Sequence, residues 1–374
     1  MPKPKVLHVR VVSNAGGGPD KTILRQPKHM NQHGFDVHAA YIYPAGDEHI
    51  HTIEHHAAKH HCPLHLIPEK GALDPSTISR LIQLCKKLRI DIWHAHDYKT
   101  DVLGLIVNRF HHMKLVSSVH GFIRETWKTR LYSFIDGLSL LFHDRVLTVS
   151  PDLTHHCGSK GVHPSKLRYV PNAIDLSEYD LSDNAFKLQT IDDDTINLGV
   201  ISRFSTEKGV DRTLQLHKLI LDAGYNAVLH LVGDGPELDH LKQLADKLDT
   251  QSHIKWWGWQ EEPRQFYCKF DALLLTSHTE GLPNVLLEAM TMYVPVIATN
   301  VGGVSELLGD GEFGVLLNNH DTIEAWYQPI QKLLNCNEYR RELAHRAHAQ
   351  VHDHYTFEKR VSRIESIYRE LLAA

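Results

Sequence analysis

Short apolar runs alternate with longer amphipathic stretches along most of the chain. Uninterrupted apolar runs are typical of strands that are buried on both faces of a parallel sheet. The predicted strands of the first half are VLHVRVV (6–12), DVHAAYI (36–42), DIWHA (91–95), KLVSSV (114–119) and RVLTV (145–149). Because helix-length segments separate these runs, the pattern predicts a parallel sheet covered by helices.

The pattern is interrupted once and then resumes. Residues 181–195, LSDNAFKLQTIDDDT, are polar and acidic and lack a regular period, which predicts a linker. Five more predicted strands follow, at 196–202, 227–233, 271–277, 294–300 and 314–318, and residues 319–374 are helical in pattern. The predicted fold class is therefore α/β, with two doubly wound Rossmann-like domains at 1–180 and 196–356.

Composition narrows the class of protein. The chain has 374 residues, 42% hydrophobic and 23% charged, which suits a globular protein with two cores. A net charge of -5 argues against a general nucleic-acid binder. We expect no membrane-spanning helix, because no apolar run approaches about 18 residues. The N-terminus lacks a signal-peptide cleavage pattern, and five scattered cysteines without CxxC favour a reduced, cytoplasmic compartment.

Histidine is unusually frequent, with 30 residues in the chain and the highest density at 49–65. Within that segment HTIEH, from His51 to His55, matches the pattern H-x-x-E-H, and histidines four apart on a helix can share a metal ion. No third ligand has a supporting context. The segment is therefore interpreted as a solvated, histidine-rich helix face, and no metal site is predicted.

Loops that follow strands carry the candidate chemistry, because ligands of open α/β sheets bind beyond the carboxyl ends of the strands. Two such domains facing each other would leave a cleft. The first strand ends in SNAGGGPDKTIL, in which Gly16 and Gly17 allow close backbone approach and Pro19 suits a first helical turn. Such a helix start attracts anions. A tight turn that needs glycine only for its geometry is an equal alternative.

The second domain offers cations in the loop after its first strand. Arg203 and Lys208 in SRFSTEKGVDRTL flank a helix start, which makes a strong site for a diphosphate. The alternative is a pair of surface salt bridges to Glu207 and Asp211. The next strand ends in a turn formed by Gly233, Asp234 and Gly235, for which a plain strand-to-helix connection is the alternative.

Two carboxylates bracket another predicted helix start, in TEGLPNVLLEAM. Pro283 suits the first helical position, so Glu280 falls in the preceding loop and Glu288 in the second turn. The backbone N–H groups between them belong to Gly281, Leu282, Asn284 and Val285. Bare carboxylates would repel a diphosphate, so they must bind neutral hydroxyl groups beside it. A ligand with hydroxyls at both ends and a diphosphate in the middle is a nucleotide-sugar.

The ordered motifs GGGP, PNAID (171–175), SRF-x3-KG, VGDGP, E-x7-E and VPVIATNVGGVSELL resemble the retaining GT-B glycosyltransferases of glycosyltransferase family 4. Ala173 stands where the family's PNG-ID signature has Gly. The resemblance covers nearly the whole chain. It implies an enzyme that moves a hexose-type sugar, with retained anomeric configuration, from a nucleotide-diphosphate donor to a glycan or lipid-linked acceptor in cell-surface polysaccharide or glycolipid synthesis.

The resemblance also implies roles for these residues. Arg203 and Lys208 hold the donor diphosphate. Glu280 binds the sugar and Glu288 binds the ribose, while the glycine turn from Gly233 to Gly235 lies by the base. Gly16 and Gly17 lie in a loop that approaches the donor phosphates and the acceptor. His120, in SSVHGF, lies near the transferred sugar, and a structural histidine is its alternative. His94, His96 and Asp97 line the same cleft, with His96 and Asp97 expected on the acceptor side; a His96 that only orients a loop is the alternative.

The implied mechanism follows from charge. Arg203, Lys208 and a helix dipole stabilise the leaving diphosphate, so no metal or other cofactor is required. The leaving phosphate accepts the acceptor's proton and no protein nucleophile is assigned, although Glu280 is a candidate if it does more than position the sugar. The last helix, 357–374, crosses back to the first domain.

Two questions stay open from the sequence. Residues 121–142 mix cationic and apolar side chains, which fits a peripheral contact with the inner face of a membrane, or a helix packed on the first domain. Besides a transferase, a GT-B-fold sugar-nucleotide epimerase and a non-catalytic nucleotide-sugar-binding subunit are alternatives. A two-carboxylate glycosidase is disfavoured, because cationic loops do not suit a neutral glycan.

Overall fold

The structure is a computed structural model that describes residues 3–12, 17–71, 74–121, 137–179 and 195–373. The chain divides into two compact units. Unit 1 comprises Met1–Asn172 and Glu358–Ala374, and unit 2 comprises Ala173–Phe357. Within the described ranges no helix has both the length and the hydropathy needed to cross a membrane.

Unit 1 contains a seven-stranded sheet in which every pairing is parallel. Its strands are β1 (Lys5–Val11), β2 (Asp36–Pro44), β3 (Leu64–Glu69), β4 (Ile92–Ala95), β5 (Lys114–Val119), β6 (Arg145–Thr148) and β7 (Leu167–Tyr169), in the order β3-β2-β1-β4-β5-β6-β7. The α-helices that lie wholly within the described residues of its first segment are α1 (Gly18–Met30), α2 (Ile50–Lys59), α3 (Pro75–Leu88), α4 (Tyr98–Asn108) and α5 (Pro151–Ser159).

Unit 2 contains a six-stranded sheet that is also parallel throughout. Its strands are β8 (Ile196–Ile201), β9 (Ala227–Val232), β10 (Ile254–Gly258), β11 (Ala272–Leu275), β12 (Val296–Thr299) and β13 (Val315–Leu317), in the order β10-β9-β8-β11-β12-β13. Its α-helices are α6 (Val210–Asp222), α7 (Leu238–Lys247), α8 (Arg264–Tyr267), α9 (Asn284–Thr291), α10 (Val304–Leu307), α11 (Ile323–Asn335) and α12 (Asn337–His354).

The strand order reverses at the centre of each sheet, between β1 and β4 in unit 1 and between β8 and β11 in unit 2. These are the topological switch points, beside which open α/β sheets bind ligands. All four residues of β4 and of β11 are buried, because helices cover both faces there. The predicted α/β class with two doubly wound parallel sheets is confirmed.

The C-terminal helix α13 (Phe357–Ala373) packs on unit 1, as the resemblance implied. Arg360 donates to the carbonyl oxygens of Val170 at 3.0 Å and Pro171 at 2.5 Å. Tyr368 is fully buried, with its hydroxyl 2.5 Å from Nδ1 of His94. Unit 1 is therefore built from two segments that are far apart in the sequence.

The boundary between the units falls after Asn172, before the predicted domain end at residue 180. Residues 173–179 belong to unit 2 and pack against the rest of it: Ile174 forms a parallel bridge with Thr356, and Arg264 donates to the carbonyl oxygen of Glu178. Residues 180–194 of the chain lie outside the described residues, so the linker at 181–195 stays a prediction.

Candidate functional site

Two strand-end loops of unit 2 are bonded to each other. The backbone N–H of Phe204, after β8, donates to the carbonyl oxygen of Asp234, after β9, at 2.9 Å. A Cβ on Gly233 would lie 1.8 Å from the carbonyl oxygen of Ser202, and one on Gly235 would lie 2.3 Å from that of Phe204. Both glycines of the turn are therefore required for the close contact between these loops.

The two predicted cations lie in the loop between β8 and α6. Arg203 is exposed. Lys208 ends a short 3-10 turn, and its Nζ donates to Oε1 of Glu280 at 2.7 Å. Glu207 instead accepts a 2.6 Å hydrogen bond from the Ser205 hydroxyl, and despite its partial burial this bond and the nearby cations lower its pKa. Lys208 thus joins the loop after β11, rather than pairing with the neighbouring Glu207.

Glu280 is held from two sides. Its side chain is 8% exposed, and the Ser277 hydroxyl donates to the same Oε1 atom at 2.6 Å. The backbone of the loop after β12 packs closely against that of Glu280. Gly302 has φ +57°, and a Cβ there would lie 2.0 Å from the carbonyl oxygen of Glu280. Gly303 donates its N–H to the carbonyl oxygen of Gly281 at 2.6 Å. The backbone of the predicted sugar-binding loop is therefore fixed by a glycine pair.

Glu288 lies in the second turn of α9, as the sequence predicts. Pro283 precedes the helix as its N-cap, one residue earlier than expected, and Asn284 and Val285 begin the helix. The Glu288 carboxylate is buried, and the Tyr267 hydroxyl donates to its Oε2 at 2.8 Å. Burial, followed by the negative charge of Glu288, raises the pKa of Tyr267, so the phenol stays protonated as a donor.

Four histidines of unit 1 form a cluster where β1, β4 and β5 run side by side; His8, His94 and His96 are buried, and His120 is partly buried. His8 is directly opposite His94 in the β1–β4 pairing, and His96 and His120 follow β4 and β5. The ring centroids of His94 lie 4.7 Å from His8 and 4.5 Å from His96, and those of His96 and His120 are 5.6 Å apart. We call these four residues the histidine cluster.

Burial is the main cause of low pKa values in the histidine cluster. It lowers the pKa of His8 to about 3, with a further contribution from the positive charge of Arg360. The pKa values of His94, His96 and His120 are likewise held well below their usual range, first by burial and then by neighbouring positive charge. All four imidazoles are therefore neutral at physiological pH.

Asp97 is engaged by the backbone around the start of α4. Its Oδ1 accepts the N–H groups of Lys99 at 3.1 Å and Thr100 at 3.0 Å, and its Oδ2 accepts that of Val11 at 2.8 Å. Burial raises its pKa to about 6, against the lowering effect of these bonds. Asp97 thus caps a helix and ties it to β1, while a role on the acceptor side stays a prediction.

The described end of the glycine loop is also braced. Gly17 donates its N–H to Oδ2 of Asp20 at 2.6 Å, and Asp20 accepts the Tyr41 hydroxyl at 2.8 Å and pairs with Nε of Arg10 at 2.6 Å. Gly16 lies outside the described residues.

Possible metal ligands converge in the histidine cluster and not in the H-x-x-E-H segment. In the described part of the chain, one group of three candidate ligands has atoms within 4.8 Å of one another: His8, His94 and His96. His51 and Glu54 bond to each other at 2.7 Å on α2. The nitrogens of His94 already contact the hydroxyls of Tyr368 at 2.5 Å and Ser118 at 2.8 Å.

Sequence reasoning missed three supporting groups: His8, Tyr267 and Gly302. His8 lies inside a strand and was interpreted only as part of an apolar run. Tyr267 belongs to a short helix outside every motif. Gly302 and Gly303 lie within the signature VPVIATNVGGVSELL, and the positive φ that Gly302 adopts is the signal that could have identified the pair.

Comparisons with known proteins agree with the fold and the order of the motifs. Residues 16–178 match the model of Glycosyltransferase Family 4, and residues 182–350 match that of Glycosyl transferases group 1. Together the two matches span most of the chain.

Individual relatives carry transferase or synthase names. The N-acetyl-alpha-D-glucosaminyl L-malate synthase of Bacillus anthracis is 37% identical over 172 residues, which is 46% of this chain and 45% of that protein. The Staphylococcus aureus capsular polysaccharide biosynthesis glycosyltransferase CapM is 24% identical over 324 residues, 82% of this chain and 85% of that protein.

A solved structure shows the same fold. That of Anabaena HepE in complex with UDP superposes with a TM-score of 0.80 at 19% identity, covering 98% of this chain and 100% of that one. The resemblance inferred from the motifs is confirmed, and the names of the relatives favour a transferase over an epimerase or a non-catalytic subunit. The chain belongs to the glycosyltransferases of family 4 and has the GT-B fold.

Proposed function

We propose that this glycosyltransferase takes a hexose-type sugar from a nucleotide-diphosphate donor and transfers it, with retention, to a glycan or lipid-linked acceptor. Cell-surface polysaccharide or glycolipid synthesis is the proposed setting, which the capsular relative supports. The donor site is proposed to lie at the strand-end loops of unit 2 that carry Lys208 and Glu280, with Glu288 in the adjoining helix α9.

The contact between Lys208 and Glu280 carries this proposal. In a nucleotide-sugar, the transferred sugar is bonded directly to the diphosphate. A cation that binds phosphate and a carboxylate that binds sugar hydroxyls must therefore be neighbours. Lys208 and Glu280 meet at 2.7 Å although 72 positions separate them in the sequence, and the exposed Arg203 adds charge to the same loop.

The other donor contacts follow from the same arrangement. Glu288, oriented by Tyr267, is assigned to the ribose diol, and the turn at Gly233 to Gly235 to the base. Carboxylate oxygens accept hydroxyl hydrogen bonds strongly, which suits both sugars. The loop residues Gly281 and Leu282, together with Pro283, Asn284 and Val285 at the helix start, would present backbone groups to the donor. Asp234 would lie beside the base with its two glycines.

The proposed reaction breaks the bond between the anomeric carbon and the phosphate oxygen, and the leaving diphosphate keeps the electron pair. The acceptor hydroxyl attacks the same face, and its proton passes to the leaving phosphate. Arg203 and Lys208 stabilise the charge that develops on the diphosphate. Glu280 positions the sugar, and His120, by family resemblance, contacts it. Gly16 and Gly17 are assigned to the donor phosphates on the same basis.

The donor site is tested by replacing its charged groups. Lys208→Ala and Glu288→Ala should each lower donor affinity or turnover about 10- to 100-fold, the expected effect of losing a charge-assisted hydrogen bond. Lys218→Ala is the matched control, because Lys218 is paired on the surface with Asp222 in α6. Calorimetry with UDP-, GDP- and ADP-sugars would measure affinity, and unchanged kinetics in both site variants would refute the assignment.

Acceptor use and membrane contact need separate measurements. Nucleotide release that rises only when a glycan or lipid-linked acceptor is added would support transfer, whereas release without acceptor would oppose it. Most of the segment 121–142 lies outside the described residues, but Leu138 and Phe142 within it are exposed. Sedimentation with anionic vesicles tests the peripheral contact, and absence of binding would exclude it.

A further inference from the structure

We propose that Ser277 is a positioning residue for the sugar half of the donor. Together with Lys208 it occupies one carboxylate oxygen of Glu280, Oε1, so that the other oxygen, Oε2, alone accepts hydrogen bonds from the sugar hydroxyls. This inference rests on the proposed function, in which Glu280 binds the transferred sugar. It goes further, because it names the oxygen that receives the sugar and the residue that keeps this oxygen available.

Two hydrogen bonds end on the same oxygen of Glu280. Nζ of Lys208 donates to Oε1 at 2.7 Å, and the Ser277 hydroxyl donates to it at 2.6 Å. A carboxylate oxygen has two lone-pair sites, so two such donors saturate it. Within the described residues, both hydrogen bonds of the Glu280 carboxylate end on Oε1. Oε2 therefore keeps its two acceptor sites for a ligand.

The backbone on both sides of Lys208 is fixed by the residues on both sides of Ser277. The N–H of His278 donates at 2.8 Å to the carbonyl oxygen of the residue before Lys208. The Thr276 hydroxyl donates at 2.7 Å to the carbonyl oxygen of the residue after Lys208. Residues 207–209 and 276–278 are therefore aligned, with Lys208 and Ser277 at their centres. This alignment of the backbone brings both donors to the same carboxylate oxygen.

Ser277 acts on the sugar through Glu280 and not by direct contact. It is fully buried, and its carbonyl oxygen accepts the Thr299 hydroxyl at 2.7 Å. Its hydroxyl has a single proton, which is donated to Glu280. The last torsion of a glutamate side chain has no sharp preference of its own, so a strong bond to one oxygen sets the plane of the carboxylate.

The division between the two oxygens determines how the donor can be bound. A carboxylate with both oxygens free can accept two neighbouring hydroxyls, one on each oxygen. With Oε1 saturated, the sugar hydroxyls that bind Glu280 must all bind Oε2. Lys208 uses one of its three N–H donors on Oε1 and keeps two for the diphosphate. The sugar and the diphosphate are therefore bound on either side of one shared atom.

Ser277→Ala tests the inference by comparing two ligands on one protein. Calorimetry uses the nucleotide-sugar that the wild-type protein binds among UDP-, GDP- and ADP-sugars, and then the matching nucleoside diphosphate. The affinity of the variant for the nucleotide-sugar should fall about tenfold, and that for the diphosphate less than about twofold, because only the sugar uses Oε2. Equal losses for the two ligands would indicate a displaced loop, and that result or no loss would overturn the proposal.

Crystal structures provide a second readout. In unliganded wild-type crystals, Ser277 and Lys208 should both contact Oε1 of Glu280, and in crystals with the nucleotide-sugar the sugar hydroxyls should contact Oε2. A Ser277 hydroxyl that does not reach Oε1, or sugar hydroxyls bonded to Oε1, would overturn the proposal. The unliganded structure requires no variant to fold and no knowledge of the donor.

Two further variants separate the hydroxyl of Ser277 from general effects of a buried substitution. Ser277→Thr keeps the hydroxyl and should restore the wild-type ratio of the two affinities, although the added methyl group lowers stability. Thr250→Val is the matched control, because the Thr250 side chain is fully buried and its hydroxyl donates to the carbonyl oxygen of Ala245 at 3.3 Å. Thr250 precedes β10, at the opposite end of the strands from the donor loops, and its replacement should change neither affinity.

The outcome for the proposed function can be separated from this one. If Lys208→Ala and Glu280→Ala both leave binding of the nucleotide-sugar unchanged, the donor site itself is wrong. If these two variants weaken binding while Ser277→Ala binds both ligands like the wild type, the donor site stands and only the positioning role of Ser277 is wrong.

Discussion

At the scale of single residues, the proposed donor site depends on side chains that orient its carboxylates. Glu288 is buried, and a buried carboxylate needs hydrogen-bond donors to offset the loss of water. Tyr267 supplies one such donor from α8, and its hydroxyl is fixed because the ring is fully buried. The direction in which Glu288 presents its other oxygen is therefore set by a residue that is absent from the E-x7-E motif.

Tyr267→Phe removes this donor and keeps the ring. We expect donor affinity to fall about tenfold, since hydrogen bonds to charged groups contribute about 1.5–3 kcal/mol. Calorimetric titration with the nucleotide alone measures the effect, because Glu288 is assigned to the ribose.

Tyr225→Phe is the control for this prediction. The Tyr225 hydroxyl donates to the side chain of Asn335. Tyr225 precedes β9 and therefore lies at the opposite end of the strands from the donor loops. Affinities that fall equally in both variants would mean that Tyr267 has no special relation to Glu288.

The residues that could be predicted from the sequence are those at strand ends. Arg203 follows β8 closely, and Lys208 and Glu280 directly precede the glycines of their strand-end loops. Glu288 follows from the helix start that Pro283 marks. The partners Ser277 and Tyr267 could not be predicted in the same way, because a buried hydrogen bond depends on how two distant segments pack. His8 was hidden because its neighbours in β1 are apolar.

At the scale of elements, the sequence revealed the central strands and missed most of the sheet edges. The unpredicted strands are β3, β7 and β10. Each of them is an edge of its sheet, and most of their residues are only partly buried. An edge strand is only partly covered by neighbouring elements, so its residues need not all be apolar. The continuous apolar run that identifies β4 or β11 is therefore weak in these strands. The fourth edge, β13, was predicted from its apolar run GVLLN.

The loop after β12 offers a test at this scale. Gly302→Ala would place a Cβ 2.0 Å from the carbonyl oxygen of Glu280 at a φ of +57°, so the loop that carries Glu280 must move. We expect a loss of about 3 kcal/mol in the free energy of unfolding and a fall of at least about tenfold in kcat/KM. Urea unfolding and steady-state kinetics measure the two effects.

Gly224→Ala separates backbone strain from displacement of the loop. Gly224 has φ +89° but no atom within 4 Å of its would-be Cβ, so only the strain of a positive φ remains. We expect it to cost about 1 kcal/mol of stability and to leave kcat/KM unchanged. If Gly302→Ala has no larger effect than this control, the glycine pair does not support Glu280.

At the scale of the molecule, the histidine cluster couples the stability of unit 1 to pH. In the unfolded chain each histidine binds a proton near pH 6.5, whereas His8 in the folded state does so only near pH 3. Below pH 6.5 the unfolded state therefore binds more protons, and stability falls as pH falls. Each such histidine contributes about 1.4 kcal/mol per pH unit once its unfolded form is fully protonated.

Two other groups oppose this trend. Asp101 raises the pKa of His143 in spite of burial, and burial raises the pKa of Asp97 to about 6, so both groups favour the folded state at lower pH. The four cluster histidines outnumber them. We expect the free energy of unfolding of unit 1 to fall by several kcal/mol between about pH 6.5 and 5. Urea titrations at intervals across this range measure it, and a flat or rising profile would contradict the neutral state of the cluster.

The placement of α13 has a consequence for the order in which the protein is made. Unit 1 needs Arg360 and Tyr368, yet the ribosome synthesises all of unit 2 before it reaches them. At about 5–20 residues per second, the first segment waits roughly ten to forty seconds for its last helix. During that interval His94 and the carbonyl groups after β7 lack their final partners. Synthesis of unit 2 begins after that of unit 1, yet unit 2 is the first of the two that can complete its fold.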